Sequence, residues 1–375
     1  MEEIKFGTQL FYSNSYDFVR KKVVAAYKEN WDSIWLPDHL SGIPGGAIDD
    51  FLCLWPMFGS FAELAKGKTF GSSVTDPHRL HPAVLAQMAT TINHITGAKF
   101  ILGIGAGEGM NLKSYNINYD HALGKMRESI ELLKLFWKKG KRVTYNGKFF
   151  KTKKAVLLPK PIKEIPIWVA ANGPKTIEMT AEIGNGWIPI GLFPEVYKTG
   201  KNKIIRIIKE KGRELSKFTF GGFFRIYINN DEEKINEQIN MTKFSLVIQP
   251  RVIKELGLWK SQFDNIFYEA TDYSYDEMSL LKIDREDIIK FDLKKLKLIL
   301  DEIPDKIIRE NVMIGTKEEI LKKIKRFIDV GTQYFIFEIV NGASSKNSPF
   351  TYWDVSKIIS DEIIPQFRQK SVPGF

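Results

Sequence analysis

Phe100-Ile101-Leu102-Gly103-Ile104 runs directly into Gly105-Ala106-Gly107-Glu108-Gly109-Met110-Asn111. The first five residues are apolar without alternation. That pattern reads as a strand buried on both faces, as in a parallel sheet. The glycine-rich stretch behind it reads as a strand-end loop. Upstream, residues 81–96 read as a helix, with Pro82 in the first turn and Val84, Met88, Ile92 and Ile95 on one face. Downstream, Leu123, Met126, Ile130, Leu133 and Trp137 recur at steps of three and four, a long amphipathic helix. Helix, buried strand, helix is the local unit of an α/β fold.

The unit recurs along the chain. Strands are expected at 4–11, 33–36 (stopped by Pro37), 69–74, 100–104, 166–171, 187–190, 219–228 and 332–340. Helices are expected at 15–30 with Ser15 as cap, 51–66, 175–183, 195–211 and 352–364. Thr316-Lys317-Glu318-Glu319 is a capping box opening a helix that ends near Val330. Val143-Thr144-Tyr145 and Lys148-Phe149-Phe150 flank Asn146-Gly147 and read as a hairpin with a tight turn. About eight strands, nearly all followed by helices, predict a closed (β/α)₈ barrel. No Gly-x-Gly-x-x-Gly follows the first strand, which argues against an open doubly wound sheet. Residues 1–375 are expected to form one such barrel domain, with 232–310 a mostly helical insertion.

Composition narrows the class. The chain has 375 residues, 43% hydrophobic and 27% charged, an ordinary globular balance. One cysteine, Cys53, excludes an internal disulfide framework. No stretch reads as a signal peptide or membrane span, so the cytoplasm is the expected compartment and no membrane insertion is expected. Lys and Arg number 55 against 45 Asp and Glu, a net charge of +10. A basic balance suits nucleic acid, a membrane surface or an anionic small molecule, or simply solvates the surface. No nucleic-acid motif and no clustered basic–aromatic stripe is present, so a nucleic-acid partner is not expected.

In a barrel the chemistry sits at the C-terminal strand ends. Strand two ends in Pro37-Asp38-His39: an acid–base group beside a residue that orients it or binds a ligand, the two pointing to opposite sides. Strand three ends in Gly71-Ser72-Ser73-Val74-Thr75-Asp76-Pro77, small residues that let backbone approach a flat ligand. His78 and His81 have metal-ligand spacing, but no Cys or carboxylate cluster accompanies them, and no metal site is expected. Strand four ends in the glycine loop carrying Glu108, a carboxylate placed to donate a proton. Strand five ends in Ala171-Asn172-Gly173-Pro174-Lys175-Thr176, a helix start whose backbone N–H groups suit an anion.

These strand ends resemble those of the luciferase-like barrel oxidoreductases, and within them the branch that uses the deazaflavin coenzyme F420. The resemblance rests on Leu36-Pro37-Asp38-His39, Ser73-Val74-Thr75-Asp76-Pro77, Leu102 to Glu108 and Ala171-Asn172-Gly173-Pro174-Lys175, four pieces in the same order. It covers roughly residues 4–192 and returns at 313–337. It implies a (β/α)₈ barrel that forms homodimers and acts on a small-molecule substrate. Asp38 would lie at the cofactor ring, and Ser72, Ser73, Val74 and Thr75 behind it, with a non-proline cis peptide within Ser72-Ser73-Val74. Gly105, Ala106, Gly107 and Asn111 would approach the cofactor, and Asn172, Gly173, Pro174 and Lys175 would receive its phosphate. His39 would act as base on a hydroxyl and Glu108 would protonate the ring nitrogen of the reduced cofactor. Hydride transfer between F420 and a carbonyl or alcohol group is the expected reaction. The alternative is a flavin mononucleotide (FMN)-dependent monooxygenase on the same barrel. One departure stands out: members that oxidise alcohols or sugar phosphates carry a Trp shortly after the His, and here none occurs until Trp55.

Overall fold

Strand β4 (Phe100–Ile104) pairs in parallel with β3 (Thr69–Ser72) on one side and β7 (Ile167–Val169) on the other. Continuing around, β8 (Gly186–Trp187), β9 (Thr219–Ile228), β11 (Tyr334–Ile339), β1 (Lys5–Gln9) and β2 (Ser33–Leu36) return to β3, every pairing parallel. The result is a closed eight-stranded barrel with helices outside. The hairpin β5 (Val143–Asn146) and β6 (Lys151–Ala155) stands apart, and β10 (Ile314–Gly315) adds to the end of β9. This computed structural model describes residues 3–10, 15–40, 51–140, 142–191, 193–247, 251–274, 287, 290–342 and 350–368.

The strands are buried on both faces, as their unbroken apolar runs require: every residue of β2, β4 and β11 is buried. Outward side chains such as Phe6, Phe224 and Phe337 pack under the helices. Inward ones plug the barrel. Trp35 and Trp168 have ring centroids 5.5 Å apart, and Tyr334 meets Trp168 edge-on at 4.9 Å. Room for these rings comes from Gly71 and Gly186, where an added Cβ would run into the Trp35 and Trp168 rings. The Trp35 indole and the Tyr334 hydroxyl both donate to Ser33 Oγ, each at 2.7 Å, so the plug leaves neither group unpaired.

The helix starts follow the expected caps. Ser15 accepts from Phe18 N, and Thr316 with Glu319 forms the reciprocal box. Three details differ from expectation. Helix Pro82–Ile95 buries Leu85, Ala86, Ala89 and Ile92, while Val84 is exposed, a rotation of the apolar face by about one residue. The hairpin turn is longer than Asn146-Gly147. Asn146 pairs with Lys151 because Glu128, from helix Ala122–Trp137, accepts the N–H groups of Lys148, Phe149 and Phe150 and takes them out of the ladder. The last helix widens at Ile359–Ile363 beside Pro365, which has no N–H to give.

Between β9 and β10 lie helices Glu232–Val247, Arg251–Glu255, Gln262–Thr271, Leu293–Leu300 and Asp305–Asn311. They share an apolar cluster around Ile239, Phe263, Phe267, Leu296 and Ile308. Phe193, Tyr227 and Ile314, from the barrel and its flank, belong to the same cluster.

Candidate active site

The register of three adjacent strands sets the mouth. Gln9 of β1 lies beside Glu338 of β11, which lies beside Arg225 of β9. Side chains alternate along a strand, so these three share the inward face with Ile336 and Phe223, two residues below in the apolar plug. The mouth is thus a cup with an apolar floor and a polar wall. Arg225 Nε lies 3.0 Å from Glu338 Oε2. Of the Arg225 side chain 57% is open to solvent, as for a group lining a cup. The adjacent Glu338 charge raises the Arg225 pKa above its already high value.

Strand β3 leads into the floor. The peptide Ser73–Val74 is cis, which places the expected cis bond within Ser72-Ser73-Val74. Val74 packs on the apolar plug, and the Ser73 hydroxyl donates to Gln9 Oε1. Ser72 turns into the wall, where its Oγ exchanges hydrogen bonds with the backbone of Gly103. This close approach needs glycine: an added Cβ at Gly103 would overlap Ser72 O, and one at Gly105 would lie 2.8 Å from Val74 Cγ2.

Asp38 and His39 diverge. The Asp38 carboxylate is almost fully buried and accepts from Thr75 Oγ1 at 2.6 Å and from Arg79 Nη1 at 3.0 Å. Arg79 also binds Asp76, Nε to Oδ2 at 2.6 Å. The side chains of Asp38, Thr75 and Ser72 are therefore spent on holding strand ends together. His39 faces the cup instead, partly exposed and packed on Phe51 at 5.0 Å between ring centroids.

His39 meets the β4 loop. Asn111 Nδ2 lies 2.6 Å from His39 Nδ1 and 2.8 Å from Glu108 Oε2. His39 Nδ1 and Glu108 Oε2 are 3.5 Å apart. The loop is clamped from behind: His78 Nε2 contacts Ala106 O at 2.9 Å, and Tyr119 donates to Gly107 O at 3.2 Å. Burial lowers the His78 pKa, and burial with the Glu108 charge pushes the Tyr119 phenol up to about 12. Gly107 has φ +83, and a Cβ there would also meet the His78 ring. His78 and His81 are each engaged, the latter capping its helix by accepting from Ala83 N.

The helix Pro174–Ile183 opens on the same end of the barrel. Gly173 is its N-cap and supplies no side chain, so the first N–H groups are left for another acceptor. Asn172 Oδ1 accepts from Ile190 N at 3.0 Å and ties this turn to the end of β8. Lys175 is exposed at the rim. Trp55 is buried in the helix Leu54–Leu64 and takes no place in the mouth. Arg79, Arg225, Glu338 and Gln9 were not among the residues expected at the site. Gln9, Arg225 and Glu338 are polar residues inside or ending largely apolar strands, a signal that register turns into a cluster, whereas Arg79 lies in the turn after β3.

Residues 4–334 match the luciferase-like monooxygenase family, and the chain belongs to it. It is 24% identical over 367 residues to 5,10-methylenetetrahydromethanopterin reductase of Archaeoglobus fulgidus, covering 97% of this chain and all of that one. Its fold is similar to an F420-dependent secondary alcohol dehydrogenase solved with an F420–acetone adduct, with TM-score 0.72, 21% identity, and 98% and 99% of the two chains covered. It is also similar to the coenzyme F420-dependent tetrahydromethanopterin reductase of Methanopyrus kandleri, with TM-score 0.74, 18% identity, and 98% and 100% covered.

Proposed function

We propose that this protein is an F420-dependent oxidoreductase that moves a hydride between the deazaflavin and a carbonyl or alcohol carbon of a small molecule. The observation that carries the reading is the meeting of His39, Asn111 and Glu108 at the rim of the cup. The cofactors named for the similar proteins support it. The residues present suit the group. The apolar floor at Val74 and Phe223 accepts a flat ring, and the glycines of the β4 loop keep side chains out of its way. The uncapped helix start at Gly173, with Lys175 beside it, suits the phosphate.

When bound, the deazaflavin supplies a carbon that accepts or gives a hydride. The chain supplies the protons. His39 presents Nε2 to the substrate oxygen, and Glu108 holds or releases a proton at Oε1 or Oε2. Asp38 keeps the end of β2 in place through Arg79, so that His39 stays aimed into the mouth. Arg225 and Glu338 form the opposite polar wall. We further propose that residues 232–310 are an insertion in one barrel domain, supported by the apolar cluster they share with Phe193 and Tyr227. The working form is proposed to be a homodimer, which light scattering checks.

The reading is tested by mixing the protein with reduced deazaflavin and a panel of ketones and aldehydes, with oxygen and without it. Reoxidation of the cofactor that depends on carbonyl compound supports it. Reoxidation that requires oxygen and consumes it would instead favour the FMN-type monooxygenase chemistry of the family.

A further inference from the structure

We propose that Arg225 selects the substrate: its guanidinium receives a carboxylate while the reacting carbonyl lies before His39 and Glu108, so that the compounds reduced are oxo acids. The substrate class rests on the hydride-transfer reading above; the unpaired donors that point to it do not.

Arg225 and Glu338 share their exposure unevenly. Glu338 has 9% of its side chain open to solvent and Arg225 57%. What the cup presents to a ligand is therefore the cation. Only Nε of the guanidinium is engaged, 3.0 Å from Glu338 Oε2, and neither Nη1 nor Nη2 has a partner among the described residues. That outer edge is the planar fork that matches the two oxygens of a carboxylate. Glu338 holds the fork in place without filling it. On the other side of Glu338, Gln9 is 3% exposed. Its Oε1 accepts from the Ser73 hydroxyl, and its Nε2 has no partner among the described residues. A buried N–H without an acceptor costs stability, and a ligand oxygen at this level supplies one. Two strands thus bring unpaired donors to one height of the same wall.

The rest of the cup fits the same class. The Glu338 charge chiefly, and the Glu108 charge after it, raise the Arg225 pKa, so the cation persists at any working pH and shares the cup with Glu108. Phe223 lies two residues below Arg225 on the inward face. Ile190, bridged to Phe223 and two residues beyond Ile188 of the plug, is 44% exposed. An oxo acid satisfies this order: carbonyl at His39 and Glu108, a short apolar chain over Phe223 and Ile190, carboxylate on Arg225. Arg225 and Glu338 together carry no net charge, which suits a carboxylate monoanion better than a phosphate dianion.

The test is calorimetric titration of the purified protein, ligand-free and again with oxidised deazaflavin, where an oxo compound cannot take a hydride. The probes are levulinate and 5-oxohexanoate, their methyl esters, and dihydroxyacetone phosphate. Each acid is expected to bind at least about tenfold more tightly than its ester, the scale of a hydrogen bond to a charged group. Arg225→Lys keeps a counter-charge for Glu338 but loses the fork, and is expected to lose most of that preference. The double variant Arg225→Gln with Glu338→Gln, which leaves no buried charge unpaired, is expected to abolish it. Acids that bind no better than their esters, tighter binding of the phosphate, or a preference that survives in both variants would overturn the proposal. So would variants that lose the deazaflavin instead of the acid preference, which would assign Arg225 to the cofactor. Hydride transfer from reduced deazaflavin, followed separately, keeps the two readings apart. Turnover of neutral ketones as good as that of oxo acids would remove this proposal and leave the functional reading standing, and acid-selective binding without any hydride transfer would do the reverse.

Discussion

Arg79 and Asp38 hold each other by two parallel contacts, Nη1 to Oδ1 at 3.0 Å and Nη2 to Oδ2 at 2.9 Å. The guanidinium also donates to the Asp38 carbonyl oxygen at 2.8 Å and reaches Asp76 through Nε. One arginine therefore ties the end of β2 to the turn after β3. Removing it leaves two buried carboxylates without their counter-charge, which typically costs about 3–5 kcal/mol. Arg79→Met is expected to lower unfolding stability on that scale in urea titration. A loss of only a few tenths would mean the pair is not anchoring the strand end.

His39→Ala is expected to leave deazaflavin affinity within a few-fold and to lower turnover by ~10²-fold or more, the usual scale for a lost acid–base group. The side chain lies at the rim, packed on Phe51 and bonded to Asn111, and none of these contacts holds the barrel. Steady-state kinetics beside a binding curve checks it. Lost affinity with normal turnover would make His39 a binding residue.

Gly103→Ala is expected to destabilise the protein by about 1–3 kcal/mol, the range for overpacking a closed site. The added methyl would overlap the Ser72 carbonyl oxygen, which is backbone and has nowhere to move. Differential scanning calorimetry reads the shift in Tm. Gly97→Ala is no control, because Gly97 has φ +61; Gly59→Ala is, since nothing lies near its added Cβ.

The alternation of apolar runs with amphipathic helices made the barrel legible, and β9 falls at Thr219–Ile228 as its pattern predicts. Strand ends followed from that, so His39, Glu108 and the Ser72–Val74 segment could be placed near one mouth from sequence. What strand patterns do not show is which residues in distant strands share a level. Glu338 and Arg225 each interrupt an apolar run, Phe337-Glu338-Ile339 and Phe224-Arg225-Ile226, yet only the pairing of β9 with β11 brings them into contact. The partner of Asp38 was hidden for a related reason: Arg79 sits in a turn, where no periodicity says which way a side chain points. The hairpin turn was misplaced because Glu128, some twenty residues earlier, takes the N–H groups a tight turn would have used.

Deazaflavin affinity is expected to fall as salt rises, more steeply for longer oligoglutamate tails. Lys175 and the helix start at Gly173 are exposed enough to hold an anionic tail partly in solvent. Such attraction is screened beyond about 10 Å at 0.1 M salt. Contacts of the ring with the apolar floor should be insensitive to salt. Binding curves at several salt concentrations with tails of different length check it, and flat affinity independent of the tail would show that the net charge of +10 serves only solvation.

Glu108→Gln is expected to reduce turnover more than affinity, since the amide keeps the shape and loses the transferable proton. Single-turnover rates compared with equilibrium binding separate the two. Collapse of affinity with turnover preserved would place Glu108 among the binding groups.

The most direct measurement is a fluorescence titration of the purified protein with coenzyme F420 and, in parallel, with FMN. Saturable binding of F420, with FMN failing to bind or to displace it, is the result expected from the cup and its helix start. Tight FMN binding that excludes F420 would contradict the account.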